Sequence, residues 1–238
     1  MNKKWHIRQY DVKNAFVHTN IDSDIYTILP TGLYRPKDPA YQNKCCHLKK
    51  ALYGLKQAPR LWSEFFTKAI ANLEFDRVPI DEGIYINSKT QAIIITHVDD
   101  IIIIHKDLAY INKLASTARQ YIKLEEIGEL ATFLGNNISL NYQDQSITID
   151  QNDYISKILS KFATTSKRLK KTPGKAGIYL RKNQSKASEQ TINLYQKEIS
   201  SLLYTSLKTR PDIAYPVAYC SRYMSNPDQS HISELKKI

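Results

Sequence analysis

The sequence predicts an α+β fold, an antiparallel sheet covered on one face by helices. Three observations carry this. Ile93–His105 reads IIITHVDDIIIIH, two β-branched runs flanking Asp99 and Asp100. Such runs favour buried strands, and a polar pair between them reads as a tight hairpin turn. Apolar residues at helical spacing follow Pro59 and again Leu108. The order of elements, strand, loop, helix, hairpin, helix, hairpin, is not the strict alternation of a parallel sheet.

Taken in order, Trp5–Val12 alternates as a strand ending near Asp11. Ile25–Leu29 and Cys45–Leu52 are short extended candidates, separated by a loop punctuated by Pro30, Gly32, Pro36 and Pro39. Tyr53–Arg60 turns into a helix with Pro59 in its first turn, where proline is tolerated. Trp62, Phe65, Phe66 and Ile70 give that helix a broad apolar face, read as core. Asp81–Ile86 leads into the Asp-Asp hairpin, and Leu108–Ile122 forms a second amphipathic helix. Thr132–Ile138 and Ser146–Ile149 read as a second hairpin, followed by a short helix over Tyr154–Phe162. The polar, basic stretch 165–188 reads as a linker. A helix through Tyr195 and Ser206 follows, then a last one over Ile213–Tyr223, started at Pro211 and bent at Pro216.

The 238 residues suffice for one large domain or two small ones. No apolar run reaches membrane-span length, and no apolar signal core follows the basic Met1 end. Cys45, Cys46 and Cys220 lack a zinc-ligand spacing. The net charge of +11 favours a polyanionic partner such as nucleic acid, with a merely lysine-rich composition as the alternative.

Asp11 at a strand end and Asp99 and Asp100 at a hairpin tip are the candidate chemical groups. Carboxylates held together repel unless a cation joins them. Mg²⁺ is the natural one, because it takes one or two carboxylates and leaves room for phosphate oxygens. Alternatively, the Asp-Asp pair is only a turn facing water. Joining a nucleotide to a primer uses two metal ions roughly 3.5–4 Å apart, and such carboxylates supply a platform for them.

Asp11-Val12-Lys13-Asn14-Ala15-Phe16, Tyr53-Gly54-Leu55-Lys56-Gln57-Ala58-Pro59-Arg60, Val98-Asp99-Asp100, Phe133-Leu134-Gly135 and Thr209-Arg210-Pro211-Asp212 occur in this order. The set resembles the reverse transcriptase of copia-type (Ty1/copia) LTR retrotransposons, nearly end to end. The resemblance implies a right-hand polymerase fold: palm with partial fingers over 1–140 (fingers about 17–58), thumb and basic linker over 141–188, and the start of a helical connection over 189–238. It implies RNA-directed DNA synthesis from dNTPs on an RNA or DNA primer–template, with two Mg²⁺ ions (or Mn²⁺) on Asp11, Asp99 and Asp100. Val12, Phe16, Gly54, Gln57 and Pro59 would line the nucleotide site, Phe16 excluding a 2′-hydroxyl and Gly54 allowing a close backbone approach. Phe133, Leu134 and Gly135 would grip the primer. Lys157, Lys161, Lys167 and Arg168 would meet phosphates, giving affinity rather than sequence preference.

The chain departs from the family pattern at His97, usually Tyr, and at Thr19 and Ser200, each usually Gly. A positive φ at Thr19 would cost on the order of 1–2 kcal/mol. The resemblance also implies fingers beginning upstream of Trp5, so the sequence is expected to be a piece of a polyprotein. Other segments of that polyprotein, or a second copy of the chain, are possible partners. The implied location is a cytoplasmic particle and then the nucleus. Two readings follow: an active polymerase, or an inactive transposon remnant that at most binds nucleic acid. A metal phosphohydrolase lacks an obvious His or Glu set.

Overall fold

The structure, a computed structural model describing residues 5–30, 32, 41, 44–162, 172–174 and 177–238, divides into two units, Met1–Leu130 and Ala131–Ile238. The first unit contains β1 (His6–Val12), a 3-10 turn at Ala15–His18, β2 (Tyr26–Thr27), β3 (Cys46–His47), α1 (Ala58–Ala71), β4 (Asp76–Arg77), β5 (Ile84–Ile86), β6 (Ile93–His97), β7 (Asp100–His105), α2 (Leu108–Ala118) and β8 (Leu124–Glu129). Six of these strands make one antiparallel sheet in the order β4-β5-β6-β7-β1-β8. β2 and β3 form a separate two-stranded pair.

Alternation along β1 and β7 sorts residues onto the two faces of the sheet. Tyr10 pairs with Ile101, and both are buried with Val12, Ile103 and Ile94 in a core shared with Trp62, Phe66 and Ile70 of α1 and Ile111, Leu114 and Ala115 of α2. The opposite face carries Ile7, Gln9, Asp11, Asp100 and Ile102. Each fully buried Ile, Phe or Trp contributes roughly 1.5–3 kcal/mol, so the helix-covered face holds the sheet together.

The expected hairpin is present, but its tip is displaced by one residue. His97 pairs with Asp100, so the two turn residues are Val98 and Asp99, and Asp100 opens β7. Val98 has φ +60, a positive value at the first turn position as in a type II′ turn. Glycine is favoured there, and a β-branched residue costs about 1–2 kcal/mol. Two contacts compensate. The Val98 side chain packs against the core, and the indole Nε1–H of buried Trp62 donates to the Val98 carbonyl at 2.8 Å.

β8 was not expected. Its sequence, LEEIGE, is poor in strand formers. It pairs along β1 with a bulge between Gln9 and Tyr10, and its exposed glutamates give the sheet a charged edge. Thr19 stands in extended backbone with φ −100, so it carries no strain, and its hydroxyl donates to the Phe16 carbonyl at 2.9 Å. The left-handed residue of this segment is instead Asn14, with φ 54.

The second unit contains β9 (Thr132–Phe133), β10 (Asn136–Asn141), β11 (Ser146–Asp150), α3 (Asn152–Phe162), α4 (Glu189–Lys208), a 3-10 turn at Pro211–Ile213, α5 (Ala214–Ser221) and α6 (Gln229–Leu235). The strand expected over Thr132–Ile138 is split. Leu134 and Gly135 both have positive φ, 49 and 77, and turn β9 back onto β10. The Tyr204 hydroxyl donates to the Leu134 carbonyl at 2.9 Å and lies 2.6 Å from where a Cβ on Gly135 would stand. The helix at Ala214–Ser221 is not the last. α6 follows, capped by Asp228, which accepts from Ser230 and His231 N–H while His231 Nδ1 accepts from Asp228 N–H. Tyr195, Ile199, Cys220 and Leu235 form this unit's buried cluster. Among the described residues, no helix is long and apolar enough to cross a membrane.

Two stability outcomes follow from these contacts. Trp62→Phe removes the donor that braces the Val98 turn and lowers the unfolding free energy by about 2 kcal/mol, measured by urea denaturation followed by circular dichroism. Gly135→Ala meets both a positive φ and the Tyr204 hydroxyl, and lowers stability by about 1–2 kcal/mol or more. Tyr204→Phe in the same background recovers part of that loss by removing the close oxygen.

Candidate active site

Three chain segments converge at the β6–β7 tip, on the face of the sheet opposite α1 and α2. Asp11 is the penultimate residue of β1, and its register partner is Asp100. Direct cross-strand partners point to the same side of a sheet, so these two carboxylates are neighbours. Asp99 joins them from the turn, where its carbonyl accepts from Val12 N–H at 2.8 Å. One backbone hydrogen bond therefore fixes the hairpin tip against the end of β1.

The charge crowding has an electrostatic signature. The Asp11 carboxyl is raised above its usual range, first by burial and then by the like charges of Asp99, Asp100 and Glu125. Lys13 opposes the shift and is ion-paired with Glu125. These are hard oxygen donors with unneutralised repulsion, which suits Mg²⁺ chemically. Among the described residues, no three His, Cys, Asp or Glu side chains converge as a ready-made metal cluster. Mg²⁺ requires none, since it is commonly bound through one or two carboxylates plus phosphate oxygens.

Phe16 sits in the 3-10 turn that follows β1 and is buried. Tyr53 lies edge-on to it, with ring centroids 4.5 Å apart, and donates its hydroxyl to Asp99 Oδ2 at 3.1 Å. Gly54 has φ +95, and a Cβ there would meet nothing within 4 Å. Within the chain, backbone conformation rather than a close approach accounts for this glycine. Pro59 occupies the first turn of α1. The Gln57 amide donates to Ser23 Oγ at 3.0 Å, and Arg60 pairs with Asp22 and Glu64, tying the 22–23 loop to the start of α1.

Asp11, Asp99 and Asp100 are thus brought together, with Phe16 and Tyr53 beside them, whereas the Val12 side chain is buried on the other face and only its backbone N–H meets this site. Gln57 is engaged with Ser23 instead. His97, at the end of β6, is exposed beside Asp100 in the register. In the second unit, Phe133, Leu134 and Gly135 form the β9–β10 turn, and Lys157 and Lys161 are exposed on α3. Lys167 and Arg168 lie outside the described residues.

Sequence reasoning left Tyr53 without a role because its partner, Asp99, is 46 positions away. By its helical spacing Trp62 reads as plain core. The available signal was its indole N–H, which needs a hydrogen-bond partner when buried.

Residues 1–176 match the family model described as reverse transcriptase (RNA-dependent DNA polymerase). The chain is 29% identical over 240 residues to the retrovirus-related Pol polyprotein from transposon TNT 1-94 of Nicotiana tabacum, covering 98% of this chain and 18% of that protein. It is 30% identical over 244 residues to the corresponding polyprotein from transposon RE1 of Arabidopsis thaliana, covering 100% of this chain and 16% of that protein. A putative transposon Ty5-1 protein of Saccharomyces cerevisiae is 28% identical over 230 residues, covering 96% of this chain and 73% of that protein. The chain therefore spans less than a fifth of the two plant polyproteins. The carboxylate register, the ordered motifs and the family match lead to one conclusion: the chain belongs to the reverse transcriptase (RNA-dependent DNA polymerase) family, of the Ty1/copia transposon type.

Proposed function

We propose that the chain is an RNA-directed DNA polymerase that joins a dNTP to a primer 3′-hydroxyl on an RNA or DNA template. The observation that carries this is the β1–β7 register, which sets Asp11 opposite Asp100 beside Asp99 in a chain of this family. Asp11 and Asp99 are assigned as the main ligands of two Mg²⁺ ions, with Asp100 beside them. Ions held by these carboxylates would supply acidification of the primer hydroxyl and offset the charge developing on the departing pyrophosphate. Strand-borne ligands hold their geometry more tightly than loop-borne ones.

The other roles are those that membership of this family supports. Phe16 is placed under the incoming sugar, where its ring leaves no space for a 2′-hydroxyl. Gly54 and Pro59 line the nucleotide site, Val12 contributes through its backbone alone, and Gln57 braces the adjoining loop through Ser23. Residues 1–140 act as palm and partial fingers, 141–188 as thumb, and 189–238 as the start of a connection. The Phe133–Gly135 turn grips the primer end, and Lys157, Lys161, Lys167 and Arg168 meet backbone phosphates. The net charge of +11 supports a nucleic-acid partner. A cytoplasmic particle is the assigned setting for the reaction.

Primer extension on an RNA template tests the reading. The wild-type chain extends the primer with Mg²⁺, EDTA abolishes extension, and Asp11→Asn and Asp99→Asn each reduce it at least about a hundredfold. A folded wild-type chain that binds primer–template in a salt-dependent way, yet extends no better than either variant, would instead be an inactive remnant.

Crowding at Asp11 adds a stability outcome of opposite sign. Asp11→Asn removes a carboxylate that burial and like charges disfavour, so its thermal midpoint without metal lies above that of the wild type. Differential scanning calorimetry in EDTA measures this.

A further inference from the structure

Tyr53 joins two residues that the polymerase reading assigns to different tasks. Its hydroxyl donates to Asp99 Oδ2 at 3.1 Å. Its ring meets the Phe16 ring at a centroid distance of 4.5 Å and an interplanar angle of 66°, an edge-to-face contact. Phe16 is buried to 5% exposure, whereas Tyr53 is 58% exposed. Phe16 is thus anchored in the core, and Tyr53 stands over it at the surface.

The exposure argues against an ordinary packing role. A tyrosine more than half in water contributes little apolar burial. A hydrogen bond made where water competes adds little to folding. Both interactions do, however, restrict where their partners point. The bond to an ionised carboxylate is charge-assisted and directional. The edge-to-face contact limits sideways movement of the Phe16 ring. Tyr53 lies in the turn before α1 that the Leu55 N–H closes on the Leu52 carbonyl at 3.3 Å, ahead of Gly54 (φ +95).

We infer that Tyr53 is a positioning and specificity-determining residue: its hydroxyl orients the Asp99 carboxylate, and its ring holds Phe16 against displacement by the 2′-hydroxyl of a ribonucleotide. The inference rests on the polymerase reading above. It separates one side chain into two functions that different substitutions remove.

Steady-state primer extension with a dNTP and the matching rNTP tests it, using wild type, Tyr53→Phe and Tyr53→Ala, with melting curves establishing that all three are folded. Tyr53→Phe keeps the ring and loses the hydroxyl. It lowers kcat about tenfold for both nucleotides, the effect of one hydrogen bond to a charged group, and leaves KM and the dNTP-to-rNTP selectivity unchanged. Tyr53→Ala loses both, and its selectivity falls by a further tenfold or so as Phe16 yields. Wild-type selectivity in Tyr53→Ala would overturn the inference while leaving the polymerase reading intact. If the wild type shows no Asp99-dependent extension, the polymerase reading itself fails. A cycle that needs no turnover then decides the coupling: thermal midpoints of Phe16→Leu, Tyr53→Leu and the double variant. Non-additive midpoints sustain the Tyr53–Phe16 link, and additive ones overturn it.

Discussion

The antiparallel register of β1 and β7 places Asp11 beside Asp100, and the Val12 N–H to Asp99 carbonyl bond brings the hairpin tip to the same point. Asp11 and Asp100 are held side by side by the ladder, and Asp99 adjoins them from the turn. Their mutual repulsion, partly screened by water, costs on the order of 1 kcal/mol per pair. On the other face, Tyr10, Val12, Ile101 and Ile103 are buried against α1 and α2. Val12, Ile101 and Ile103 each contribute roughly 1.5–3 kcal/mol, so burial outweighs the repulsion. At the hairpin end, alternate residues of the same strands thus separate core from carboxylates, while farther along the carboxylate face Gln9 and Ile102 are buried as well.

The hairpin tip depends on α1 as well. Val98 occupies a backbone region unfavourable to a branched side chain, and buried Trp62 holds its carbonyl from the helix. Tyr53, in the turn before the same helix, holds the Asp99 carboxylate from the other side of that residue. Helix α1 therefore does more than cover the sheet. Trp62 within it and Tyr53 in the turn before it fix the backbone before Asp99 and the side chain of Asp99, a second layer that pre-positions this carboxylate.

Much of this arrangement was legible in the sequence. The β-branched runs around Asp99 gave the hairpin, and the 3.6-residue spacing after Pro59 gave α1, because both signals are local. The exact turn residues were hidden, since the β1–β7 pairing rather than local propensity decides that Asp100 belongs to the strand. β8 was hidden because LEEIGE is acidic; the open edge of β1 recruits it. The Leu134–Gly135 turn was missed because a leucine with positive φ gives no compositional sign. α6 is short, and its capping box uses His231 where Glu or Gln is the usual signal. The Tyr53–Asp99 contact joins distant segments and has no local trace at all.

The central claim is that Asp11 and Asp99 act as one cation site organised by the strand register. Its most direct test is a Mn²⁺ titration, following the free-ion electron paramagnetic resonance signal with primer–template and matching dNTP present. Saturable Mn²⁺ uptake by the wild-type chain, displaced by Mg²⁺ and lost in the Asp11→Asn/Asp99→Asn double variant, is the predicted result. Equal uptake by a folded double variant would contradict the account, because the ions would then be held by the nucleotide and nucleic acid alone.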